Sequence, residues 1–125
     1  MSEKIDINEN CGVFGGLHTL KAGSEQKLLS LLGFAAKARR ITAGADLCRD
    51  AIRRGQAVLT IVASDASANT GKRILDACKY YESDMCRTTV TAAELGRRIG
   101  KSGDIAVVSV TDMNFANGIS KLFDE

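Results

Sequence analysis

The chain has 125 residues, 45% hydrophobic and 5% aromatic, with 17 Lys and Arg against 15 Asp and Glu. That is one small domain with enough apolar material for a single core, and its net charge of +2 suits a polyanionic partner without demanding one. No apolar run approaches the ~18 residues of a membrane span, and the acids that open the chain, with no continuous apolar stretch behind them, do not read as a secretory signal, so the expected location is the cytoplasm.

Residues 1–25 hold four glycines and scattered apolar residues without a period. They read as an extension, mobile in part, ahead of a domain over 26–125. Up to Gln26 the charges are Lys4 and Lys21 against Glu3, Asp6, Glu9 and Glu25, a net −2, which leaves +4 on the rest. From there the pattern tightens. Leu28, Leu31, Leu32 and Ala35 recur at helical spacing and predict a helix over about 26–38. "RITAG" is a short strand. In "GADLCRDAIRRG" Leu47, Cys48, Ala51 and Ile52 form one stripe, with Asp46, Arg49, Asp50 and Arg53 opposite, which is an amphipathic helix between glycines. Asp50 is spaced to pair with Arg53 or Arg54. "AVLTIVAS" is a continuous apolar run of strand length, hence a buried strand. A helix over 67–81 follows with Ser67 as its N-cap, then the strand "MCRTTV". "TAAELGRRIG" opens with Thr91-x-x-Glu94, a capping box, and closes at Gly100. "DIAVVSVT" is a second buried strand, and a last helix is capped by Asp112. Strand and helix alternate, which predicts a three-layer α/β/α sandwich around a four-stranded, mostly parallel mixed sheet.

The cysteines, Cys11, Cys48, Cys78 and Cys86, make no CxxC pair, and His18 is the sole histidine. A zinc site needs closely spaced ligands, so these read as buried thiols, with no metal or cofactor expected. "NCGVFGG" resembles the nucleophile segment of N-terminal-nucleophile glutamine amidotransferases. That chemistry needs a free α-amino group beside the thiol and an oxyanion hole. Ten residues precede Cys11, and the body does not read as that fold, so no catalytic residue is assigned.

Asp65, Ser67 and Asn69 follow the first buried strand, where α/β sheets place their sites. A helix cap and turn account for Ser67 equally well. Lys37, Arg39 and Arg40, then Arg53 and Arg54, then Arg97, Arg98 and Lys101 lie at the ends of different helices. They form a phosphate-contacting surface if those ends converge, and solvated positive faces if they do not. Phe34, Phe115 and Phe123 sit in helical patterns and Tyr80–Tyr81 end a helix, which disfavours single-strand binding by base stacking.

"ITAGADLCRDAIRRG", "IVASDASANTGKR", "TAAELGRRIG" and "IAVVSV", in this order, resemble the kink-turn-binding ribosomal-protein superfamily of archaeal L-seven-Ae and eukaryotic L-thirty-e type, and within it a bacterial YlxQ-like branch. The resemblance covers about residues 27–125. It implies a non-catalytic protein that binds structured, kink-turn-like RNA or ribosomal RNA, associated with the ribosome or another RNP and not with a membrane. It implies that Gly44 opens the recognition helix, with Ala45, Asp46 and Leu47 where kink-turn binders commonly have Thr-Asn-Glu. Asp50 stands at a lysine position, Arg54 at a basic position facing phosphate, and Ser67 near a flipped-out base. Lys101 and Ser102 open the loop that holds an apolar residue against the bases. Asp46 lacks the amide donors of asparagine, Leu47 has no polar group, and Asp50 reverses a charge, so weaker binding to a standard kink-turn is expected. The alternative is a protein-interaction or regulatory domain that kept the fold and lost strong RNA binding.

Overall fold

The computed structural model describes residues 23–123. The expectations that fall on residues 1–22, Cys11 and His18 among them, lie outside these residues. Five helices alternate with four strands: α1 (Glu25–Lys37), β1 (Ile41–Ala43), α2 (Ala45–Arg53), β2 (Leu59–Val62), α3 (Ala68–Tyr81), β3 (Asp84–Arg87), α4 (Ala92–Arg98), β4 (Val107–Val110) and α5 (Met113–Ser120). The local start signals act as written. Ser67 Oγ accepts from the Thr70 amide at 3.1 Å, Thr91 and Glu94 close their capping box, and Asp112 accepts from the amides of Asn114 and Phe115. Among the described residues no helix is long and apolar enough to cross a membrane.

The sheet order is β1-β4-β2-β3. β1, β2 and β3 run in one direction, as a mostly parallel sheet requires, but β4 enters between β1 and β2 and runs against both. Two of the three ladders are therefore antiparallel, and only β2–β3 is parallel. The expectation of a mixed sheet holds, while the parallel share of its ladders is smaller than alternation alone suggests. The reason is that the last strand takes a central place and not an edge.

Because successive strand residues face opposite ways, the fully buried runs of β2 and β4 feed two cores. Leu59, Ile61, Val108 and Val110 pack with Leu28, Leu32, Leu95 and Ile119 beneath α1, α4 and α5. Val62 and Val107 pack with Ile52, Ile74, Cys78 and Met85 beneath α2 and α3. These are the three layers. In the second face Thr60 and Ser109 lie opposite each other in the β2–β4 register, fully buried, with their hydroxyls 2.9 Å apart. One hydroxyl donates to the other, so each has a partner, as burial of polar groups demands. Cys48, Cys78 and Cys86 are buried. The Cys48 thiol donates to the Thr42 carbonyl at 3.2 Å, and burial pushes its pKa up to about 11.

Candidate nucleic-acid interface

The registers Ala43↔Val108, Val62↔Val107 and Val62↔Arg87 put the carboxyl ends of β1, β2 and β3 at one end of the sheet. α2, α3 and α4 each follow one of these strands, so three helix N-termini gather there, where open α/β sheets place their ligands. Two of the three are closed by side chains. Ser67 caps α3, and α4 has both its capping box and the Asp65 carboxylate, which accepts from the Ala92 amide at 2.8 Å. The N-terminus of α2 has no side-chain cap. Its cap residue is Gly44 at φ 103 and ψ 142, a backbone shape that side chains rarely adopt. The Gly44 amide donates to the Val107 carbonyl at 2.9 Å, which pins the turn to β4. A Cβ built on Gly44 would meet nothing within 4 Å. The amides of the first turn, Ala45, Asp46 and Leu47, therefore face an open approach with the positive end of the helix dipole behind them.

The side chains around this opening are charge-balanced. Asp46, 88% exposed, accepts from Arg73 Nη2 of α3 at 3.2 Å. Asp50 pairs with Arg53 and, at 3.0 Å, with Arg54 Nε. Leu47 leaves the apolar stripe expected of it and is 63% exposed, while Cys48, Ala51 and Ile52 stay buried. The segment between α4 and β4 returns antiparallel along α4. The Lys101 amide donates to the Gly96 carbonyl at 2.8 Å and the Ile105 amide to the Ala92 carbonyl at 3.0 Å. Lys101 and Ser102 are exposed at the start of this return.

Comparison with known proteins decides the family. Residues 26–119 match the model of the Ribosomal protein L7Ae/L30e/S12e/Gadd45 family. The chain is 43% identical over 94 residues to the RNA-binding protein YlxQ of Bacillus subtilis (strain 168), covering 75% of this chain and 92% of that one. The chain belongs to this family. It is also 33% identical over 105 residues to the RNA-binding protein YlxQ of Enterococcus faecium, across 84% of this chain and 99% of that protein. Among solved structures, a Bacillus halodurans C protein of unknown function superposes with a TM-score of 0.74 at 39% identity, over 81% of this chain and all of the other. The Giardia lamblia 15.5kD RNA binding protein superposes with a TM-score of 0.64 at 25% identity, over 78% of this chain and 82% of the other. The family match runs from α1 almost to the end of α5.

Within this family member, Gly44, Ala45, Asp46 and Leu47 share one helix end, and Asp50 lies one turn further along. Ser67 is at the neighbouring end of α3, exposed, with its hydroxyl donating to Thr70 Oγ1 at 2.9 Å. Arg54 sits ten residues from Gly44, about 15 Å along the helix axis. The wider basic cluster does not converge on Gly44. Arg39 and Arg40 precede β1 at the other end of the sheet, where the Thr111 amide donates to the Arg40 carbonyl and Arg40 pairs with Asp112. Arg98 lies against α1, its Cδ 3.4 Å from where a Gly33 Cβ would stand.

Sequence reasoning missed two residues that shape the interface, Arg73 and Gly96, and the contact made by a third, Asp65, which it had singled out at the strand end. Asp65 joins the β2–α3 turn to the start of α4, and Arg73 reaches Asp46 across 27 residues of sequence; neither contact leaves a local trace. Gly96 did leave one, a glycine inside a helical pattern at a cost of about 1 kcal/mol. A Cβ there would stand 2.0 Å from the Gly103 carbonyl oxygen, so glycine is what lets the return segment lie on α4.

Proposed function

We propose that this chain is a small, non-catalytic RNA-binding protein of the cytoplasm that takes structured, kink-turn-like RNA on the open N-terminus of α2. Its place is with the ribosome or another RNP. The observation that carries this reading is the contrast among three helix N-termini at one sheet end: two are capped by side chains, and the third is opened by Gly44 and left to a ligand. Helix amides there suit phosphate or base acceptors, and RNA of this kind is read through exposed base edges and shape. The YlxQ relatives and the Giardia protein, each named as RNA-binding, support the same partner class. The proposed contacts are Gly44, Ala45, Asp46, Leu47, Asp50, Arg54, Ser67, Lys101 and Ser102.

Asp46 and Asp50 set the affinity in this reading. Both carboxylates stand beside the proposed RNA surface, and both occupy arginines otherwise available to phosphate. Anisotropy titrations with kink-turn RNA, plain duplex and single strand test the reading. Kink-turn RNA is expected to bind tightest, with a log K against log[salt] slope of roughly −2 to −3 for about three neutralised phosphates. The double substitution Asp46→Asn, Asp50→Lys is expected to tighten binding and steepen that slope. Equal affinity for all three RNAs, or a folded double variant that binds no better, removes α2 from the site and favours a protein-interaction role.

A further inference from the structure

On the face of the protein away from α2, a cleft of about 410 Å³ opens between α1 and α4, bordered by Ser30, Gly33, Phe34, Lys37, Arg98 and Gly100. Its volume lies within the roughly 300–1,000 Å³ of small-ligand pockets. Gly33 and Gly100 contribute no side chain to it. Phe34 follows the helical pattern of α1, from which base stacking was not expected, but it is 60% exposed. The ionisable residues bordering the cleft are Lys37 and Arg98, both cationic, and among the described residues neither has a carboxylate partner. Arg97 and Lys101, exposed, flank Arg98 and Gly100 in sequence.

We propose that this cleft is a second RNA contact, which takes an unpaired nucleotide with its phosphate on Lys37 and Arg98 and its base on Phe34. The inference rests on the RNA-binding reading given above and adds a site to it. Three observations select an RNA strand over other occupants. First, the charges bordering the cleft are of one sign, as a phosphate requires. Second, an exposed aromatic face sits beside those cations, which is the pairing that holds a base and its phosphate together. Third, the cleft is continuous with the proposed interface. The return segment starts at Gly100, runs the length of α4, and ends at Ala106 and Val107, whose carbonyls accept from the Ala63 and Gly44 amides. α4 has seven residues, about 10 Å. At about 3.4 Å per stacked nucleotide, a strand that has crossed from α2 to the start of α4 covers that length in roughly three further nucleotides.

The test uses the full chain and two RNAs: a kink-turn stem, and the same stem carrying a short oligouridine tail on either strand. Anisotropy titrations are expected to show the tailed RNA binding about tenfold tighter. Phe34→Ala, and separately the pair Lys37→Ala, Arg98→Ala, are expected to erase that gain while the untailed stem binds as before. Phe34→Tyr keeps the ring and is expected to keep the gain. All three positions are exposed and border the open cleft, and melting curves report whether each variant is folded. The proposal is overturned if the tail adds nothing, or if its gain survives Phe34→Ala in a folded protein. Photo-crosslinking of free oligouridine bearing 4-thiouridine separates this outcome from failure of the kink-turn reading. A crosslink in the peptide containing Phe34 supports the cleft even if the stem does not bind. Crosslinks confined to other peptides count against it.

Discussion

Replacing Gly96 by alanine tests the interface geometry most sharply, because two opposite effects compete at one atom. In the interior of α4 an alanine is favoured over glycine by about 0.8–1 kcal/mol of helix propensity. Against this, the new Cβ would stand 2.0 Å from the Gly103 carbonyl oxygen, where an ordinary carbon–oxygen contact is about 3.3 Å. The return segment must therefore retreat by about 1.3 Å, and what must move is backbone, not the tip of a flexible side chain. The retreat strains the Lys101 amide to Gly96 carbonyl bond at 2.8 Å and the Ile105 amide to Ala92 carbonyl bond at 3.0 Å, each worth about 0.5–1.5 kcal/mol net. Overpacking of this sort costs about 1–3 kcal/mol, so the net expectation is a loss of about 1–2 kcal/mol. For a domain of this size that lowers Tm by roughly 5–15 °C. The shifted segment carries Lys101 and Ser102, so RNA affinity is expected to fall as well. Thermal unfolding by circular dichroism and an anisotropy titration read the two effects separately. A Tm that rises, as propensity alone requires, would refute the packing argument, and an unchanged RNA affinity in a destabilised variant would take the return segment out of the interface.

Three further outcomes are expected. Gly44→Ala should cost about 1 kcal/mol or more in urea unfolding from its backbone angle alone, since no neighbour stands within 4 Å of the added Cβ; an isostable variant means the turn relaxes and the angle is not required. Thr60→Val should destabilise by about 1–3 kcal/mol by leaving the Ser109 hydroxyl buried without its partner, and adding Ser109→Ala should recover part of the loss; strict additivity in that double-mutant cycle would deny the coupling. Cys48 is held neutral by burial with its pKa raised from 9.0 to about 11, so the native state keeps its proton longer than the unfolded chain. Its contribution is whole below pH 9 and is lost between pH 9 and 11, at up to about 1.4 kcal/mol per pH unit. Urea curves for the native chain and Cys48→Ala should converge across that window, and parallel curves would mean that Cys48 is not the titrating group.

What the sequence disclosed is what neighbouring residues decide. Ser67, the Thr91–Glu94 pair and Asp112 are caps because the acceptor and the amide it serves are two or three residues apart, and each was legible. The alternation of buried runs with amphipathic stretches likewise marked every strand and helix. The place of β4 between β1 and β2 was not legible, since alternation does not say which strands share a ladder. At the candidate interface the pattern marked Gly44 and the pairing of Asp50 with its own helix, but not Arg73 on Asp46 or Asp65 on the Ala92 amide, which depend on the fold bringing distant segments together. Phe34 shows the converse limit. Its spacing fits a helix, yet which side of that helix meets the sheet is set by Leu28, Leu29, Leu32 and Ala35, and Phe34 falls outside their stripe.

The central position of β4 also bears on how the chain acquires its structure. β1 and β2 make no ladder with each other, and both pair with the same strand, β1 with Val108–Val110 and β2 with Val107–Val110. Until those residues arrive, β1 has no strand to pair with and β2 offers an open edge along a segment that is apolar except for Thr60, the kind of edge that recruits other chains. Joining β1 to β4 closes more than sixty residues of chain, so folding must meet a long loop-closure cost before the sheet can reward it. During synthesis, which proceeds from the N-terminus, the halves of the sheet stay separate until its last strand emerges. Pulse-labelled hydrogen exchange should then find the amides of β1 and β2 gaining protection in one common phase, and early protection of β1 alone would contradict this order of assembly.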